Sequence, residues 1–180
     1  MQHKKLSMDE LQRKSVEEFK TSKKNNIAVL LDDIRSMSNV GSVFRSSDAF
    51  NVEKIYLCGI TSSPPHREIE KTALGATESV DWEYHENAVE LLNNLVKDGW
   101  IPLVIEQVEN SIKLNDFKPE PNKKYLIILG NEVFGVNQEL IGLSDIVLEI
   151  PQFGTKHSLN IAVTAGIVLW DLTQKTLSLS

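Results

Sequence analysis

The chain has 180 residues, 41% of them apolar and 24% charged, which suits one globular domain with a buried core and excludes wholesale disorder. No run approaches the roughly 18 apolar residues that span a bilayer. The N-terminus lacks the apolar segment of a secretory signal, so we expect a cytoplasmic protein with no membrane partner. The net charge of −6 argues mildly against nucleic-acid binding, because phosphate contacts require positive surface.

The charge is unevenly distributed along the chain. Residues 1–25 contain seven Lys or Arg against four acidic residues, a net of +3, so the remainder carries −9. This asymmetry predicts a basic helical extension over residues 1–25 and an acidic domain over residues 26–180. Ser7 followed by Glu10 is a capping-box pattern and predicts a helix over about residues 8–20. A solvated helix with charges of both signs explains the segment equally well, so charge does not decide the function.

Apolar patterns predict strands that alternate with helices along the rest of the chain. Strands are predicted at about residues 27–31, 55–57, 101–105, 125–129 and 146–150. Helices are predicted after Ser38, at about 69–74, at 86–98 with Gly99 beyond the end, and at 159–174. The last helix is apolar almost all round, which predicts burial in the core or against a partner. The alternation predicts an α/β fold with a mainly parallel sheet flanked by helices.

Cysteine and histidine usage argues against disulfide and metal chemistry. Cys58 is the one cysteine, so an internal disulfide is impossible, and its apolar surroundings predict a buried thiol in a reducing compartment. The four histidines and Cys58 show no metal-ligand spacing, so we expect no metal.

Three turns after predicted strands are rich in residues that can carry chemistry, and ligands of open α/β sheets gather at such turns. The first runs from Asn39 to Arg45 as N-V-G-S-V-F-R. Asn39 and Gly41 lie at a predicted helix start, where free backbone N–H groups favour an anion. Arg45 has apolar neighbours and is expected to be half-buried, which requires a partner for its charge. A structural arginine paired with a carboxylate and a functional arginine both remain open.

The second turn, L-G-N-E-V-F-G over residues 129–135, follows an all-apolar strand. Two glycines around Glu132 allow the backbone to wrap closely against a ligand. Glu132 could accept hydrogen bonds from an amine, a ribose or a protein donor, and an ordinary glycine turn is an equal alternative. The dinucleotide pattern G-x-G-x-x-G and the phosphate-loop pattern are both absent.

The third turn covers Ile150 to Asn160. A strand ends at Pro151, the loop turns at Gly154, and Ser158 is the expected N-cap of the last helix. Asn160 is a poor helix former in the first turn, which favours a hydrogen-bonding role. His157 beside Ser158 does not indicate a hydrolase, because adjacent residues seldom reach nucleophile–base geometry and no G-x-S-x-G is present.

In this order the turns resemble the three motifs of the SpoU (TrmH-like) family of RNA ribose 2′-O-methyltransferases, within the SPOUT superfamily. N-x-G-x-x-x-R resembles motif 1, ILGNEVFGV motif 2 and IPQFGTKHSLNIAVTAGIVLW motif 3, so the resemblance covers about residues 27–175. The chain departs from the pattern at Ala162, where the family usually has serine. The resemblance implies a C-terminal deep trefoil knot, S-adenosylmethionine as cofactor, a homodimer, and RNA as substrate, with tRNA favoured over 23S rRNA.

The resemblance also implies the site residues. The expected catalytic set is Asn39, Arg45, Glu132, Ser158 and Asn160. The expected cofactor-binding set is Leu129, Gly130, Asn131, Glu132, Gly135, Ile150, Gly154, Ser158 and Leu159. Arg45 is expected to contact the phosphate or 2′-hydroxyl of the target, and Glu132 to position either Arg45 or the motif 1 turn. The alternative is a catalytically silent RNA-binding or regulatory dimer that retains the fold.

Overall fold

The computed structural model describes residues 3–7 and 9–179. Its strands are β1 (Ile27–Asp32), β2 (Lys54–Cys58), β3 (Trp82–His85), β4 (Trp100–Ile105), β5 (Ile112–Lys113), β6 (Lys124–Leu129) and β7 (Ile146–Glu149). Its α-helices are α1 (Val16–Thr21), α2 (Met37–Ala49), α3 (Arg67–Ala73), α4 (Ala76–Ser79), α5 (Ala88–Lys97), α6 (Gln138–Gly142) and α7 (Ile161–Leu177). Short 3₁₀ turns lie at Asp9–Leu11 and Leu114–Asp116.

The strands form one parallel sheet in the order β3-β2-β1-β6-β4-β7-β5. This confirms the α/β prediction with a parallel sheet. β1 pairs with both β2 and β6, so the first strand along the domain lies near the middle of the sheet. Because all strands are parallel, the turns after β1, β4, β6 and β7 meet at the same edge of the sheet.

The sheet is covered on both faces by helices. In β1 the side chains alternate, with Val29 and Leu31 in one buried cluster and Ala28 and Leu30 in the other. The first cluster includes apolar side chains of α2, α3 and α7, and the second those of α5 and α6. In β6, residues 125–129 are all buried, as the all-apolar run predicted.

The prediction of a single helix over residues 8–20 is wrong. The described part contains the 3₁₀ turn and α1 instead, and residue 8 lies outside the described residues. Gln12 has a left-handed φ of 46°, which interrupts a helix, and Ser15 starts α1 with its own capping box to Glu18. The Ser7–Glu10 box is also present, with Ser7 N–H donating to the Glu10 carboxylate at 2.8 Å. Phe19 of α1 is buried against the domain core.

Both predicted N-caps of the motif helices are displaced by two residues. Ser36, not Ser38, caps α2, and Asn160, not Ser158, caps α7. The predicted end of α5 is confirmed, because Gly99 has a φ of 87° directly after the C-cap residue Asp98. β3, β5, α4 and α6 were not predicted, since each has no more than five residues and mixed polarity.

Cys58 is a buried free thiol, as predicted. Burial, reinforced by the negative charges of Asp32 and Asp33, raises the pKa of Cys58 to about 12. Across the described residues, no helix is both long enough and apolar enough to cross a membrane.

Candidate functional site

A cavity of about 590 Å³ opens at the edge of the sheet where β4, β6 and β7 end. This volume lies within the range of small-molecule sites, and the carboxyl ends of parallel strands are where such sites form. Its apolar walls include Ile105, Leu129, Leu148, Ile150, Leu159 and Ile161. The polar side chains that line it include Glu106, Gln107, Asn131, Glu132, Glu149, Gln152, His157, Ser158, Asn160 and Thr164.

The structure brings together at this cavity nearly all of the residues that were predicted to bind the cofactor. The ones that line it are Leu129, Gly130, Asn131, Glu132, Gly135, Ile150, Ser158 and Leu159. Gly154 is not part of the lining, and a Cβ at this position would meet no atom within 4 Å. The structure therefore shows no steric requirement for glycine at 154, and its role remains a prediction.

The two glycines of the second turn are required by close backbone packing. A Cβ on Gly130 would collide with the backbone of Gly135 and Val136, across the turn. Gly135 has a φ of 73°, and a Cβ there would collide with the Glu106 carboxylate. These contacts fold residues 130–136 into a tight loop that forms one wall of the cavity.

The Glu132 carboxylate binds the turn that precedes α2. It accepts hydrogen bonds from the backbone N–H groups of Arg35, at 2.9 Å, and Ser36, at 3.1 Å, and from the side-chain amide of Asn39, at 3.0 Å. A carboxylate at a helix N-terminus is also favoured by the helix dipole. Glu132 therefore positions the motif 1 turn, one of the two roles expected of it, and not Arg45.

The hydrogen bonds keep Glu132 ionised. Burial opposes the negative charge, but the hydrogen bonds from these three donors outweigh burial and hold the pKa of Glu132 below its usual value. Glu132 is therefore a fixed hydrogen-bond acceptor near neutral pH, because its carboxyl group carries no proton to exchange in that range.

The two asparagines of the expected catalytic set are in direct contact. Asn160 Nδ2 donates to Asn39 Oδ1 at 3.1 Å, while Asn160 Oδ1 accepts from the backbone N–H groups of Ala162, at 2.9 Å, and Val163, at 3.4 Å. The chain of contacts from Glu132 through Asn39 to Asn160 joins all three motif turns. It also explains how a poor helix former at residue 160 is tolerated, because Asn160 caps α7.

Asn131 holds two of the turns together. Its Nδ2 donates to the carbonyl of Asp33 at 2.7 Å, and its Oδ1 accepts from the N–H groups of Val133, at 2.9 Å, and Phe134, at 3.1 Å. Asn131 lines the cavity, but its side-chain amide already has protein partners on both atoms. Its contribution is therefore to fix the shape of the wall.

Arg45, like Asn39 and Gly154, is not among the residues that line the cavity, and unlike Asn39 its side chain takes no part in the hydrogen-bonded network. The prediction that it is half-buried is wrong. The buried residues of α2 are Val40, Gly41, Val43, Phe44 and Ser47, and Arg45 falls on the exposed face of the helix. Its side chain makes no hydrogen bond or ion pair with any other residue of the described ranges. Gly41 is buried within α2 against the Ile69 carbonyl of α3, so close helix packing, and not an anion, requires this glycine.

Ser158 lines the cavity with an exposed side chain that has no hydrogen-bond partner among the residues described. Because it does not cap α7, its hydroxyl is available to a ligand.

Sequence reasoning missed Glu106 and Gln107 at the end of β4. Glu106 accepts from the Val136 N–H at 3.1 Å, and Gln107 Nε2 donates to the His157 carbonyl at 2.7 Å. Their position directly after a predicted strand was the signal that could have identified them.

A second cavity, of about 580 Å³, lies at the ends of β1 to β3. It is lined by Asp32, Asp33, His85, Glu86 and Glu90, together with residues of α5. Burial, and then the charge of Asp33, raises the pKa of Asp32. This cavity contains none of the expected catalytic or cofactor-binding residues.

The fold and the site define an α/β protein with a parallel sheet, in which the second and third motif turns line a small-molecule cavity and the first is hydrogen-bonded to both. A model of the SpoU rRNA Methylase family matches residues 26–170. An uncharacterized tRNA/rRNA methyltransferase of Borreliella burgdorferi is 31% identical over 163 residues, covering 89% of this chain and 68% of the relative. The tRNA (guanosine(18)-2′-O)-methyltransferase of Thermus thermophilus is 25% identical over 169 residues, covering 93% and 84%. The chain belongs to the SpoU rRNA methylase family, a family of RNA methyltransferases.

Solved structures show the same fold. The TrmH/SpoU tRNA modifying enzyme of A. aeolicus matches with a TM-score of 0.80 and 22% identity over 91% of this chain and 81% of that one. The SpoU methyltransferase AviRb of Streptomyces viridochromogenes, solved in complex with the cofactor AdoMet, matches with a TM-score of 0.78 and 21% identity over 88% and 64%.

Proposed function

We propose that this chain transfers a methyl group from S-adenosylmethionine to a ribose 2′-hydroxyl of RNA in the cytoplasm, with tRNA favoured over 23S rRNA. The observation that carries the proposal is the contact chain from Glu132 through Asn39 to Asn160 at the rim of a cavity of cofactor size. The family match and the tRNA-modifying relatives support it.

The cavity suits S-adenosylmethionine, the methyl donor of the SpoU family. Apolar side chains such as Leu129, Ile150 and Leu159 can enclose an adenine ring, and carboxylates can accept hydrogen bonds from ribose hydroxyls. When bound, the cofactor supplies an electrophilic methyl group. The tight glycine loop brings backbone N–H and C=O groups to the wall, where they can bind the polar edge of the adenine.

The expected catalytic residues divide into two sets by their contacts. Asn39 and Asn160 are held by the network, so they can position the turns around the ribose oxygen, which must be aligned with the methyl group and must lose its proton. Arg45 and Ser158 have no partners in the described part of the chain, so they are available to RNA. An arginine guanidinium offers hydrogen-bond donors and no acceptor, so Arg45 can bind a phosphate or hydroxyl and is not the base in this proposal.

The exposed face of α7 supports the homodimer. Val163, Ile167, Trp170 and Leu177 follow helical spacing and are 37% to 57% exposed, while the opposite face of α7 is buried in the core. A stripe of this kind is typical of a protein interface. Trp170→Glu should give a monomer in light scattering, and a dimer that persists in this variant would contradict the proposed interface.

Two features of the resemblance complete the proposal. Within residues 1–25, the side chains of Lys4, Lys5, Arg13 and Lys14 are exposed, and we expect this basic extension to contact RNA beside domain 26–180. We expect the C-terminal segment to form the deep trefoil knot of the family.

The function is tested by incubating the purified protein with S-adenosylmethionine and either tRNA or rRNA, followed by nucleoside mass spectrometry. The expected product is a 2′-O-methyl nucleoside, formed faster with tRNA. Binding of the cofactor in calorimetry without any methyl transfer would favour the catalytically silent dimer. A product methylated on a base would contradict the proposed reaction.

A further inference from the structure

The two residues that follow β4 each bind a different wall of the cavity. Glu106 and Gln107 leave a strand that lies between β6 and β7 in the sheet. The second turn follows β6 and the third turn follows β7, and all three strands are parallel, so the two turns lie on either side of the end of β4. Both residues also line the cavity themselves. The end of β4 is therefore placed to connect the two turns.

Glu106 binds the second turn through its carboxylate. One carboxylate oxygen accepts a hydrogen bond from the Val136 N–H at 3.1 Å, and the other accepts from the N–H of Gln107 at 2.8 Å. Gly135 packs so closely against this carboxylate that a Cβ would collide with it. The second turn is also held by Glu132, which binds the turn before α2. Glu106 is thus one of several contacts that fix this wall.

Gln107 binds the third turn through its side-chain amide. Its Nε2 donates to the His157 carbonyl at 2.7 Å. Among the described residues, this is the one hydrogen bond that residues 151–159 make with any other part of the chain. Asn160 fixes the end of the turn at the start of α7 through its bond with Asn39. The middle of the third turn therefore has Gln107 as its polar anchor.

We propose that Gln107 is a positioning residue for the cofactor site, which holds the third turn in the conformation that binds S-adenosylmethionine. This inference rests on the proposed function. The third turn contributes Gln152, His157, Ser158 and Leu159 to the cavity, so a displacement of the turn changes a whole wall. Without the Gln107 amide, the chain entropy of this segment opposes the bound conformation, and cofactor binding must supply the ordering.

Loss of this hydrogen bond has an expected size. A neutral hydrogen bond stabilises a folded conformation by an amount that corresponds to about fivefold in an equilibrium constant. We therefore expect loss of the Gln107 donor to raise the KM and the Kd for the cofactor about fivefold. The kcat at saturating cofactor should stay within about twofold of the wild type, because the bound cofactor itself orders the turn. Global destabilisation would instead lower the fraction of folded enzyme and with it the apparent kcat.

Two variants of the full chain remove the donor with different effects on charge. Gln107→Leu leaves the net charge unchanged and Gln107→Glu adds a negative charge, so an effect that both share reports the lost hydrogen bond. Calorimetry measures the Kd for S-adenosylmethionine, and methyl transfer to the RNA that the wild type modifies gives KM and kcat. Gln138→Leu is the matched control and should behave like the wild type. Gln138 is exposed on α6, does not line the cavity, and its side chain makes no hydrogen bond to another residue that the structure describes.

Limited proteolysis tests the Gln107 hydrogen bond without any cofactor. Lys156 is exposed in the third turn, and trypsin cleaves after lysine. Because cleavage follows the population of the open form, we expect cleavage after Lys156 to be about fivefold faster in both Gln107 variants than in the wild type. Saturating S-adenosylmethionine should protect the turn in the variants. Mass spectrometry of the fragments distinguishes this cut from those at other tryptic sites.

An unchanged rate of cleavage after Lys156 in both Gln107 variants would overturn the inference, and so would an unchanged KM for the cofactor. An effect in Gln107→Glu alone would assign the change to charge and would overturn it as well. If calorimetry of the wild type shows no cofactor binding, the proposed function fails, whereas the cleavage rates still decide whether Gln107 holds the turn.

Discussion

Asn160 Nδ2 donates a hydrogen bond of 3.1 Å to Asn39 Oδ1, although the two residues lie 121 positions apart in the sequence. The contact links the start of α7 to the start of α2, and Asn39 passes the link on to Glu132. Both polar atoms of the Asn39 amide and both of the Asn160 amide have hydrogen-bond partners. The three motif turns therefore form one hydrogen-bonded unit at the cavity rim. The arrangement of these three turns therefore depends on side chains from distant parts of the sequence.

Asn39→Ala should remove both links of this unit. We expect the methyl-transfer rate to fall by about 100-fold, in the range for loss of an orienting group, while the affinity for S-adenosylmethionine changes less than about threefold. Single-turnover transfer and calorimetry measure the two quantities separately. Asn93→Ala, on the exposed face of α5, is the matched control and should behave like the wild type. A variant at Asn39 with a normal rate would show that the network does not serve catalysis.

Glu132→Gln should destabilise the protein in a pH-dependent way. The pKa of Glu132 is below its usual value in the folded state. The carboxylate therefore contributes its full stabilisation above the unfolded pKa of about 4.3, and this stabilisation is lost as the pH falls through the lower folded pKa. We expect a loss of about 1 kcal/mol near neutral pH, allowing for solvent screening. Urea unfolding of both proteins at several pH values measures this difference. A difference that grows in acid would have the wrong sign.

Gly135→Ala should disrupt the cavity wall. The added Cβ collides with the Glu106 carboxylate, and the φ of 73° is unfavourable for alanine. The combined strain is expected to cost about 1–3 kcal/mol and to weaken cofactor binding at least about tenfold. Gly142→Ala in α6 is the control, because a Cβ there meets no atom within 4 Å. Equal cofactor affinities in the two variants would refute the steric role assigned to Gly135.

Cys58 should be unreactive in the native protein. Burial raises its pKa to about 12, so the thiolate that reacts with alkylating or disulfide reagents is scarce near neutral pH. We expect no labelling by a disulfide reagent at about pH 8 until denaturant unfolds the chain, followed by labelling of one thiol. Rapid stoichiometric labelling of the folded protein would contradict the buried position.

Local patterns were sufficient for five of the seven strands that the structure describes, β1, β2, β4, β6 and β7. The continuous apolar run of β6 and the glycine after α5 each depend on nearby residues, so the sequence predicted them well. The edge strands β3 and β5 were missed because they are short, and an edge strand needs no continuous apolar run. Arg45 was predicted half-buried from its apolar neighbours, but the buried face of α2 is set by its contacts with the sheet and with α3 and α7.

Contacts between distant residues could not be read from local patterns. The partners of Glu132, the bond between Asn160 and Asn39, and the position of Glu106 behind Gly135 all depend on which strand ends are neighbours in the sheet. The resemblance predicted Asn39, Glu132 and Asn160 as site residues, and the structure shows how they are connected. The cap of α7 is an example, since Ser158 and Asn160 are both good N-cap residues and the structure shows that Asn160 is the one that caps the helix.

The central claim, ribose methylation of RNA at this cavity, is tested most directly by nucleoside mass spectrometry of total RNA from cells that lack the protein. We expect one 2′-O-methyl nucleoside to disappear, to return with the wild-type gene, and to remain absent with Arg45→Ala, although that variant still binds S-adenosylmethionine. RNA whose 2′-O-methyl nucleosides are unchanged by the loss of the protein, or full rescue by Arg45→Ala, would contradict the account.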